Sequence, residues 1–261
     1  MQISFTDQCV VVTGASKGIG LACAVAFGQA GARVVGLARN PATLQAAQAH
    51  CQAAGVTLHV LPVDLTDAAA ALQAVEQIEA EHGAIDVLVN SAGAARRYPV
   101  DELDVDAFHQ GMDAKYFTYV HMMQPVLQRM LQRQHGNVVN IIGTGGRIGK
   151  PTHIPGGAAN AALMLATVGY ARAAAARGVR VNAINPGLTQ TTRVDEGLQA
   201  MARATGKPAA QLLAEQVAEI PMQRMARPEE IAQVAVFLAS AQASYVSGAV
   251  IPMDGCAASV I

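Results

Sequence analysis

The chain alternates short, wholly apolar runs with longer alanine-rich stretches, and this alternation limits the folds it can adopt. The apolar runs are rich in Val and Ile and are not interrupted at every second position, which is typical of parallel strands buried on both faces. They are CVVVT (9–13), RVVGLA (33–38), LHVLPV (58–63), IDVLVN (85–90), NVVNII (137–142), VRVNAI (179–184) and AVIPM (249–253). Helical patterns lie between them and imply right-handed βαβ crossovers. The sequence therefore predicts an α/β fold with a doubly wound parallel sheet, whose ligands bind at the carboxyl ends of the strands.

The length of 261 residues fits one α/β domain with a full core, and no linker, repeat or low-complexity tract divides the chain. We therefore predict a single domain over residues 1–261. The stretch from about 188 to 226 breaks the alternation, because it is polar and helix-forming and lies between a strand and the last helix. It is either a lid over the site or a plain surface insertion.

Charge and hydropathy exclude several classes of function. A formal net charge of −1 indicates neither nucleic acid nor an anionic membrane surface as a partner. Charged residues interrupt every apolar run before it reaches membrane-spanning length, and the N-terminus lacks a signal-peptide pattern, so we expect a cytoplasmic protein. The 4 cysteines show no paired spacing, and we expect reduced thiols. The 7 histidines are scattered, so we expect no metal site.

The turn TGASKGIG (13–20) joins the first predicted strand to the first predicted helix. Its glycines permit a tight turn, let the backbone approach a pyrophosphate and allow close contact between helix and strand. The N-terminus of the helix adds N–H donors and a favourable dipole. A purely structural βα turn is the alternative, but the position between strand and helix favours a Rossmann-type dinucleotide site. The predicted phosphate-binding residues are Gly14, Ser16, Lys17, Gly18, Ile19 and Gly20.

The second strand ends in GLARN (36–40), where an NAD-binding fold usually has Asp or Glu for the ribose 2′-hydroxyl. This chain has Ala38 followed by Arg39 and Asn40, and Lys17 lies in the glycine turn. Two cations and no carboxylate at one corner favour a 2′-phosphate, although each cation alone is commonly a solvated surface charge. We therefore predict NADP(H) as the cofactor, with Arg39 and Asn40 among its binding residues.

Along its whole length the chain resembles the short-chain dehydrogenase/reductase family. The matching segments are TGASKGIG (13–20), VDLTD (63–67), NSAG (90–93), RVNAINPG (180–187), RPEEIAQVAVFLAS (227–240) and SYVSGAVIPMDG (244–255). The resemblance implies that Asp64 and Leu65 bracket the adenine. It also implies that the ribose and nicotinamide side of the cofactor is lined by Asn90, Ala92, Gly93, Pro186, Gly187, Thr189 and Thr191.

Members of this family usually carry Asn, Ser, Tyr and Lys as a hydrogen-bonded catalytic set. In the family, Tyr gives a proton to the carbonyl, Lys lowers the pKa of Tyr, Ser binds the substrate oxygen and Asn supports a proton relay. Alignment from RVN (180–182) places the Tyr position at Gly156 and the Lys position at Asn160. The Ser position falls at Gly143, and on the preceding helix Lys115 stands where Asn is usual. All four positions have therefore changed.

Three residues are candidates for catalysis in this altered site. An ammonium at Lys115 could polarise a carbonyl, bind a carboxylate or protonate a leaving oxygen, and burial would lower its pKa toward neutrality. Alternatively it pairs with a local carboxylate such as Asp113 or Asp101. His153 lies in the loop that borders the substrate and suits a general acid near neutral pH, unless it is a surface residue. Asn160 could hydrogen-bond the nicotinamide ribose, but as a neutral group it cannot replace the field of a cation.

Other hydroxyls offer no simple replacement. We expect none of the tyrosines nearby to take the missing role, because they lie on other helix faces, on a different turn or in a loop; they are Tyr98, Tyr116, Tyr119 and Tyr170. Thr144 offers a hydroxyl just after Gly143, yet its setting in GTGGRIG (143–149) is typical of a turn residue.

Three functions remain open from the sequence. The first is an NADP(H)-dependent oxidoreductase that acts on a carbonyl or alcohol with a rebuilt proton-delivery site. The second is a non-catalytic NADP(H)-binding sensor or partner subunit, and the third is non-redox lyase chemistry with Lys115 as electrophile or Schiff base. Each implies a small-molecule ligand, whose identity the loops at 94–100, 144–155 and 188–210 do not reveal. The family resemblance also implies a homo-oligomer, a tetramer or dimer.

Overall fold

A computed structural model describes residues 3–93 and 96–258, and its centre is one parallel sheet of seven strands. The strands are β1 (Cys9–Thr13), β2 (Arg33–Ala38), β3 (Leu58–Pro62), β4 (Ile85–Asn90), β5 (Gly136–Ile141), β6 (Val179–Pro186) and β7 (Val250–Met253). Their order is β3-β2-β1-β4-β5-β6-β7. The predicted doubly wound α/β fold is confirmed, with strand ends that differ from the sequence prediction by at most two residues.

Helices connect the strands and cover both faces of the sheet. They are α1 (Gly18–Gln29), α2 (Pro41–Ala53), α3 (Ala68–His82), α4 (Val105–Gly111), α5 (Thr118–Arg133), α6 (Ile154–Ala174), α7 (Arg193–Thr205), α8 (Ala209–Ala218) and α9 (Pro228–Ala239). Short polar residues begin several of them, because a side-chain oxygen there accepts from free N–H groups of the first turn. Asn40 caps α2, Asp67 caps α3 and Asp104 caps α4.

Two apolar layers hold the sheet between the helices. One face packs against α3, α5 and α6, with Tyr119, Met123 and Leu163 fully buried in that layer. The other face packs against α1, α2 and α9, where Phe27 and Leu238 are equally buried. The strands face apolar side chains on both sides, which explains why their sequences show no polar alternation.

The strand order determines where a ligand-binding crevice can form. Successive crossovers run outward from β1 toward β3 on one side and from β4 toward β7 on the other, so the loops after β1 and β4 diverge. A crevice opens at such a switch point beside the carboxyl ends of the strands. The turn after β1 and the loop after β4 lie side by side at this crevice, where a Cβ at Gly14 would be 2.9 Å from the Ala92 backbone.

Three further elements reach this edge of the sheet. A π-helical segment, Met112–Phe117, joins α4 to α5 and carries Lys115; such segments are frequent at functional sites. Helix α6 begins beside it, and the segment after β6 contains α7 and α8. Within the described residues, no helix combines the length and apolar character that crossing a membrane requires.

Candidate active site

A cavity of about 1040 Å³ lies at the carboxyl ends of the strands. This volume is at the upper end of the range for small-molecule sites, which suits a dinucleotide together with a second molecule. Every residue that the sequence predicted for cofactor binding or catalysis lines this cavity except Asn90. The fold therefore brings together segments from the first, middle and last thirds of the chain.

The glycine turn is shaped by its lack of side chains. Gly14 and Gly18 have φ angles of +69° and +57°, in the left-handed region that favours glycine. A Cβ at Gly20 would lie 2.2 Å from the carbonyl oxygen of Gly14, so only glycine lets α1 begin this close to β1. A Cβ at Gly18 would lie 3.2 Å from the side chain of Thr191, which places the turn against the loop after β6. The N-terminus of α1 opens into the cavity between them.

The far end of the cavity lies beside the ends of β2 and β3. Lys17 and Arg39 are both exposed and both line it. Asn40 also lines it, although its amide oxygen accepts from the N–H groups of Ala42 at 2.9 Å and Thr43 at 3.3 Å as the cap of α2. This corner is therefore positive and is open to a bulky group.

Asp64 is held in a turn of its own at the same end. Its carboxylate accepts from the Thr66 N–H at 3.0 Å and from the Thr66 hydroxyl at 2.8 Å. The Thr66 N–H bond and the side-chain bond lower the pKa of Asp64, and the Arg39 charge adds to that effect. Asp64 is thus a fixed, ionised acceptor beside Leu65 in the cavity wall.

Asn90 is the exception among the predicted residues. It is fully buried at the end of β4, and its amide nitrogen donates to the Asn140 amide oxygen at 3.0 Å on the neighbouring strand. The following backbone turns into the cavity instead, because the N–H groups of Ser91 and Ala92 both donate to the Thr13 hydroxyl at 3.0 Å. The side chain of Asn90 therefore joins the two strands and does not line the cavity.

Gly93 continues this turn and meets the helix that carries Lys115. Its φ is +97°, and a Cβ there would lie 2.2 Å from the Ala114 carbonyl oxygen. The loop after β4 and the π-helical segment are therefore in close backbone contact. Ala94 and Ala95, which begin the predicted substrate loop 94–100, lie outside the described residues.

Lys115 is a buried cation in the cavity wall, with 8% of its surface exposed. Its Nζ donates to the Ile141 carbonyl oxygen at 3.0 Å and to the Tyr119 hydroxyl at 2.6 Å. No ion pair among the described residues includes Lys115, so neither Asp101 nor Asp113 neutralises it. Burial, with a further contribution from Arg193, lowers the pKa of Lys115 to about 7.

Tyr119 holds Lys115 in place by accepting a hydrogen bond from its Nζ. It is fully buried, its hydroxyl donates to the Ile141 carbonyl oxygen, and burial raises its pKa. Of the described residues that line the cavity, none is a tyrosine. The phenol of Tyr119 is therefore part of the setting of Lys115 and does not face the cavity.

The imidazole of His153 fills the space that a side chain at position 156 would need. A Cβ at Gly156 would lie 2.1 Å from His153 Cε1 and 2.6 Å from Nε2. A Cβ at Gly145 would lie 3.0 Å from Cδ2 of the same ring. The two glycines thus make room for the ring between α6 and the loop after β5.

His153 lines the cavity, and its Nδ1 is buried without a hydrogen-bond partner among the described residues. Its pKa falls to about 4, first through burial and then through the charges of Arg97, Arg193, Lys115 and Lys150. The ring is therefore neutral at pH 7 in this setting, with one nitrogen that donates and one that accepts.

Asn160 lies one turn after Gly156 on α6 and is 5% exposed. It lines the cavity, and its Oδ1 is buried without a partner. The amide nitrogen lies 3.3 Å from the place of a Cβ at Gly143. Thr144, next in the chain, begins a short 3-10 turn and also lines the cavity.

Three basic residues that the sequence analysis did not single out also line the cavity. Arg97 follows β4, Lys150 precedes α6 and Arg193 begins α7. The sequence held one usable signal, since Arg193 follows Thr191 closely in the polar stretch 188–226. Arg97 and Lys150 stand in loops without a motif, so only the fold shows that they share a cavity.

Comparison with known proteins gives one consistent result. A family model described as enoyl-(acyl carrier protein) reductase matches residues 14–256. The chain is 31% identical over 245 residues to a 3-oxoacyl-acyl-carrier-protein reductase of Thermotoga maritima, which covers 94% of this chain and 95% of that enzyme. It is 33% identical over 252 residues to a gluconate 5-dehydrogenase of Gluconobacter oxydans, with 97% and 95% covered.

Solved structures agree with these matches in fold. An actinorhodin polyketide ketoreductase with NADPH has a TM-score of 0.93 at 25% identity, over 97% of this chain and 98% of that one. An L-sorbose reductase from Gluconobacter frateurii, complexed with NADPH and L-sorbose, has a TM-score of 0.91 at 27% identity over 100% of both chains. An NAD+-bound xylitol dehydrogenase also has a TM-score of 0.91 at 26% identity, over 96% of this chain and 99% of that one.

Proposed function

The chain belongs to the short-chain dehydrogenase/reductase family of oxidoreductases, and from that membership we propose that it interconverts a carbonyl and an alcohol with NADP(H). In this proposal an atypical site built on Lys115 and His153 delivers the proton. The observation that carries it is the position of Lys115: a buried amine without a carboxylate partner, in the wall of the same cavity as the glycine turn.

The residues of the cavity fit a dinucleotide. Gly20 lets α1 begin directly against the turn, since a Cβ there would lie 2.2 Å from the Gly14 carbonyl oxygen, and the first turn of α1 supplies N–H donors at the cavity. At the other end Asn160, which lines the cavity, is the proposed partner of a ribose hydroxyl. Asp64 and Leu65 would bracket the adenine, while the nicotinamide side would be lined by Ala92, Gly93, Pro186, Gly187, Thr189 and Thr191. The bound cofactor supplies or accepts the hydride.

Lys17 and Arg39 support the preference for a 2′-phosphate. Both are exposed and line the cavity where β2 ends, and the strand presents no carboxylate there. A guanidinium can bind a phosphate through two parallel hydrogen bonds, and the ammonium adds a second charge. Relatives in the family differ in this respect, since NADPH and NAD+ each occur in neighbouring structures.

The catalytic assignment follows the family alignment. That alignment places the family's Tyr, Lys, Ser and Asn at Gly156, Asn160, Gly143 and Lys115. The packing of His153 into the space beside Gly156 supports a replacement of the tyrosine side chain by an imidazole from the preceding loop. An acid–base group must first lie within hydrogen-bond reach of the reacting atom, and only then does its pKa decide whether it can act.

Lys115 is the proposed proton donor in the direction of carbonyl reduction. An ammonium has three donors, and two are engaged by Ile141 and Tyr119, which leaves one for the substrate oxygen. A pKa of about 7 means that both protonation states are populated near neutral pH. Neutral His153 orients the same oxygen by a hydrogen bond and, in alcohol oxidation, offers an acceptor nitrogen.

A second candidate function rests on the same lowered pKa. The neutral fraction of an amine is a nucleophile, so Lys115 could form a Schiff base with a carbonyl substrate and run non-redox lyase chemistry. This function requires no hydride, and borohydride would trap the adduct on Lys115. A third outcome is tight NADPH binding without chemistry, as in a sensor or partner subunit.

The test is a titration with NADPH and NADH by fluorescence, followed by incubation of deuterated NADPH with a panel of ketones and aldehydes. Deuterium in an alcohol product supports the oxidoreductase. Cofactor binding without any label transfer would leave the non-catalytic function, and a trapped Lys115 adduct in place of label transfer would favour the lyase.

Residues 188–226 are proposed to act as a lid in this reaction. Helices α7 and α8 fill the segment and pack on each other, and α7 contributes Arg193, Gly197 and Leu198 to the cavity wall. Protection of this segment from hydrogen exchange should increase when the cofactor and a substrate bind. Unchanged exchange would leave it a fixed part of the wall.

A homo-oligomer is also proposed. Leu165 and Val168 on α6 are 76% and 42% exposed, and Phe117 beside α5 is 39% exposed, so apolar surface is open on the two long helices. Light scattering on the purified chain measures the mass in solution, and a dimer or tetramer is expected. A monomer at micromolar concentration would exclude this part of the proposal.

A further inference from the structure

We propose that the substrate carries an oxyanion group, a carboxylate or a phosphate, that binds between Arg97 and Arg193. The inference rests on the proposed function, because the molecule that carries the anion is the one whose carbonyl reaches Lys115. It adds a substrate class to the reaction and assigns a binding role to both arginines.

The Arg97 guanidinium lies against the face of α7 that also carries Arg193. Arg193 and Gly197 are four residues apart and therefore lie on the same side of the helix. A Cβ at Gly197 would be 3.0 Å from Nε and 3.3 Å from Cζ of Arg97, so the Arg97 guanidinium rests on α7 where that side chain is missing. The absence of a side chain at Gly197 thus leaves space for the Arg97 guanidinium, one helical turn from Arg193.

Neither guanidinium has a protein partner within the described part of the chain. No hydrogen bond or ion pair among the residues at 3–93 and 96–258 involves either side-chain group. Both residues are half-buried, and burial together with the charge of Arg193 lowers the pKa of Arg97. Glu196 opposes this effect without forming an ion pair.

The end of the cavity near Lys115 carries more basic than acidic side chains. Arg97, Arg193, Lys115 and Lys150 line it, and all four charges disfavour protonation of His153. The carboxylates that line the same end are Glu196 and Glu219. Partly buried like charges without partners oppose each other, and a bound anion would offset that repulsion.

The type of side chain indicates the type of ligand. A guanidinium presents a planar fork of donors that matches a carboxylate or phosphate with two parallel hydrogen bonds. His153 and Asn160 line the same cavity, so a polar molecule there would also be near an imidazole and an amide. The phosphates of the cofactor already have their own donors at the glycine turn and at Lys17 and Arg39.

The test uses calorimetric titration of the full-length protein saturated with NADPH, at constant ionic strength because screening weakens charge pairs. The probes are succinate, its neutral analogue succinamide, and inorganic phosphate. The variants are Arg97→Gln and Arg193→Gln, with Arg203→Gln as the matched control, because Arg203 lies on the same helix, is exposed and does not line the cavity.

The expected result is binding of succinate, phosphate or both, with no binding of succinamide. Arg97→Gln and Arg193→Gln should each weaken the anion roughly tenfold or more, while Arg203→Gln changes it by less than about twofold. Binding of succinate alone identifies a carboxylate, and binding of phosphate alone identifies a phosphate. Arg97→Lys keeps the charge but loses the fork, so it should recover only part of the affinity.

Two results would overturn the inference. One is the failure of both anions to bind, and the other is an equal loss of affinity in all three glutamine variants. The fluorescence titration with NADPH on the same samples separates this failure from that of the proposed function. If NADPH binds and the anions do not, only the anion site is wrong. If NADPH does not bind, titration of the cofactor-free protein still shows whether an anion depends on Arg97 and Arg193.

Discussion

The two ends of the cavity differ in what forms them: one is mostly backbone, and the other is mostly side chains. The proposed cofactor end is made mostly of backbone: Gly14, Gly18 and Gly20 allow close contacts that side chains would prevent, and α1 offers N–H donors for a phosphate. The proposed proton-delivery end is made of side chains, with Lys115 and His153 held by burial and by contacts between distant segments. Backbone geometry restricts a site to one kind of ligand, whereas side chains let the same fold take up new chemistry.

The largest expected effect comes from Lys115→Met, which removes the amine but keeps a buried side chain of similar length. Carbonyl reduction should fall about 100-fold or more, because a positioned proton donor contributes at least that factor. The dissociation constant for NADPH should change by less than about threefold, because Lys115 belongs to the other end of the cavity. Steady-state kinetics and a fluorescence titration measure the two quantities, and a parallel loss of both would erase the contrast between the ends.

Gly20→Ala should weaken cofactor binding, in contrast to Lys115→Met, which should slow the reaction. The new methyl group would lie 2.2 Å from the backbone oxygen of Gly14, so the turn must shift and NADPH affinity should fall about tenfold or more, with a loss of about 1–3 kcal/mol in unfolding free energy. Gly169→Ala on α6 is the control, since nothing lies within 4 Å of its Cβ; its effect on stability should stay within about 1 kcal/mol. Unchanged NADPH binding in Gly20→Ala would mean that the turn does not hold the phosphates.

Gly156→Ala tests whether the position of the His153 ring matters for catalysis. Its Cβ would lie 2.1 Å from the imidazole, which can swing away because it is the end of a flexible side chain. Turnover should fall about tenfold while folding and NADPH binding persist. Gly169→Ala on the same helix again serves as the control. Full activity of Gly156→Ala would show that the position of the ring is irrelevant to catalysis.

Replacing Lys17 and Arg39 together with Gln should remove the preference for NADPH over NADH, by about tenfold in the ratio of dissociation constants. Arg203→Gln, exposed and outside the cavity, should leave the ratio unchanged. The ratio is measured by paired titrations at one ionic strength. A double variant with the original ratio would assign the 2′-phosphate to other residues, or would point to a cofactor without one.

Lys115 should also give stability a specific pH dependence. Its pKa is about 7 in the folded protein and 10.5 in its ordinary setting, so between these values the unfolded chain binds more protons. The contribution of Lys115 to the free energy of unfolding therefore rises with pH in that window, by at most about 1.4 kcal/mol per pH unit. Denaturant unfolding of the wild type and of Lys115→Met from pH 7 to 9 should show the slope only in the wild type. Equal slopes would place the lysine pKa near its usual value.

The sequence predicted the strands and the glycine turn at the proposed cofactor end because their signals are local. The β-branched runs predicted the seven strands of the sheet, and Gly14, Gly18 and Gly20 lie within one short turn whose geometry sets their spacing. Asn90 shows the limit of that reasoning. The pattern located the end of β4 but not the direction of its last side chain, which points to Asn140 on the next strand.

The other end could be predicted only in part, for reasons of packing. Lys115 was singled out, but its contacts with Tyr119 and Ile141 depend on how α5 crosses β5. The position of the His153 ring depends on the loop before α6, which places the ring against Gly156. No sequence periodicity predicts the path of such a loop. Arg97 lies in the loop after β4 and Arg193 begins α7, far apart in the chain, so their proximity appears only once the sheet brings both to one edge.

The most direct test of the central claim is the pH dependence of deuteride transfer from labelled NADPH in single turnovers, measured together with NADPH affinity from pH 5.5 to 9. We predict that the rate of carbonyl reduction decreases as pH rises through an apparent pKa of about 7, as Lys115 loses its proton. NADPH affinity should show no matching transition, and Lys115→Met should give a slow rate without that pKa. A wild-type rate that is flat across this range, or a Lys115→Met variant with the full rate and the same profile, would contradict the assignment of proton delivery to Lys115.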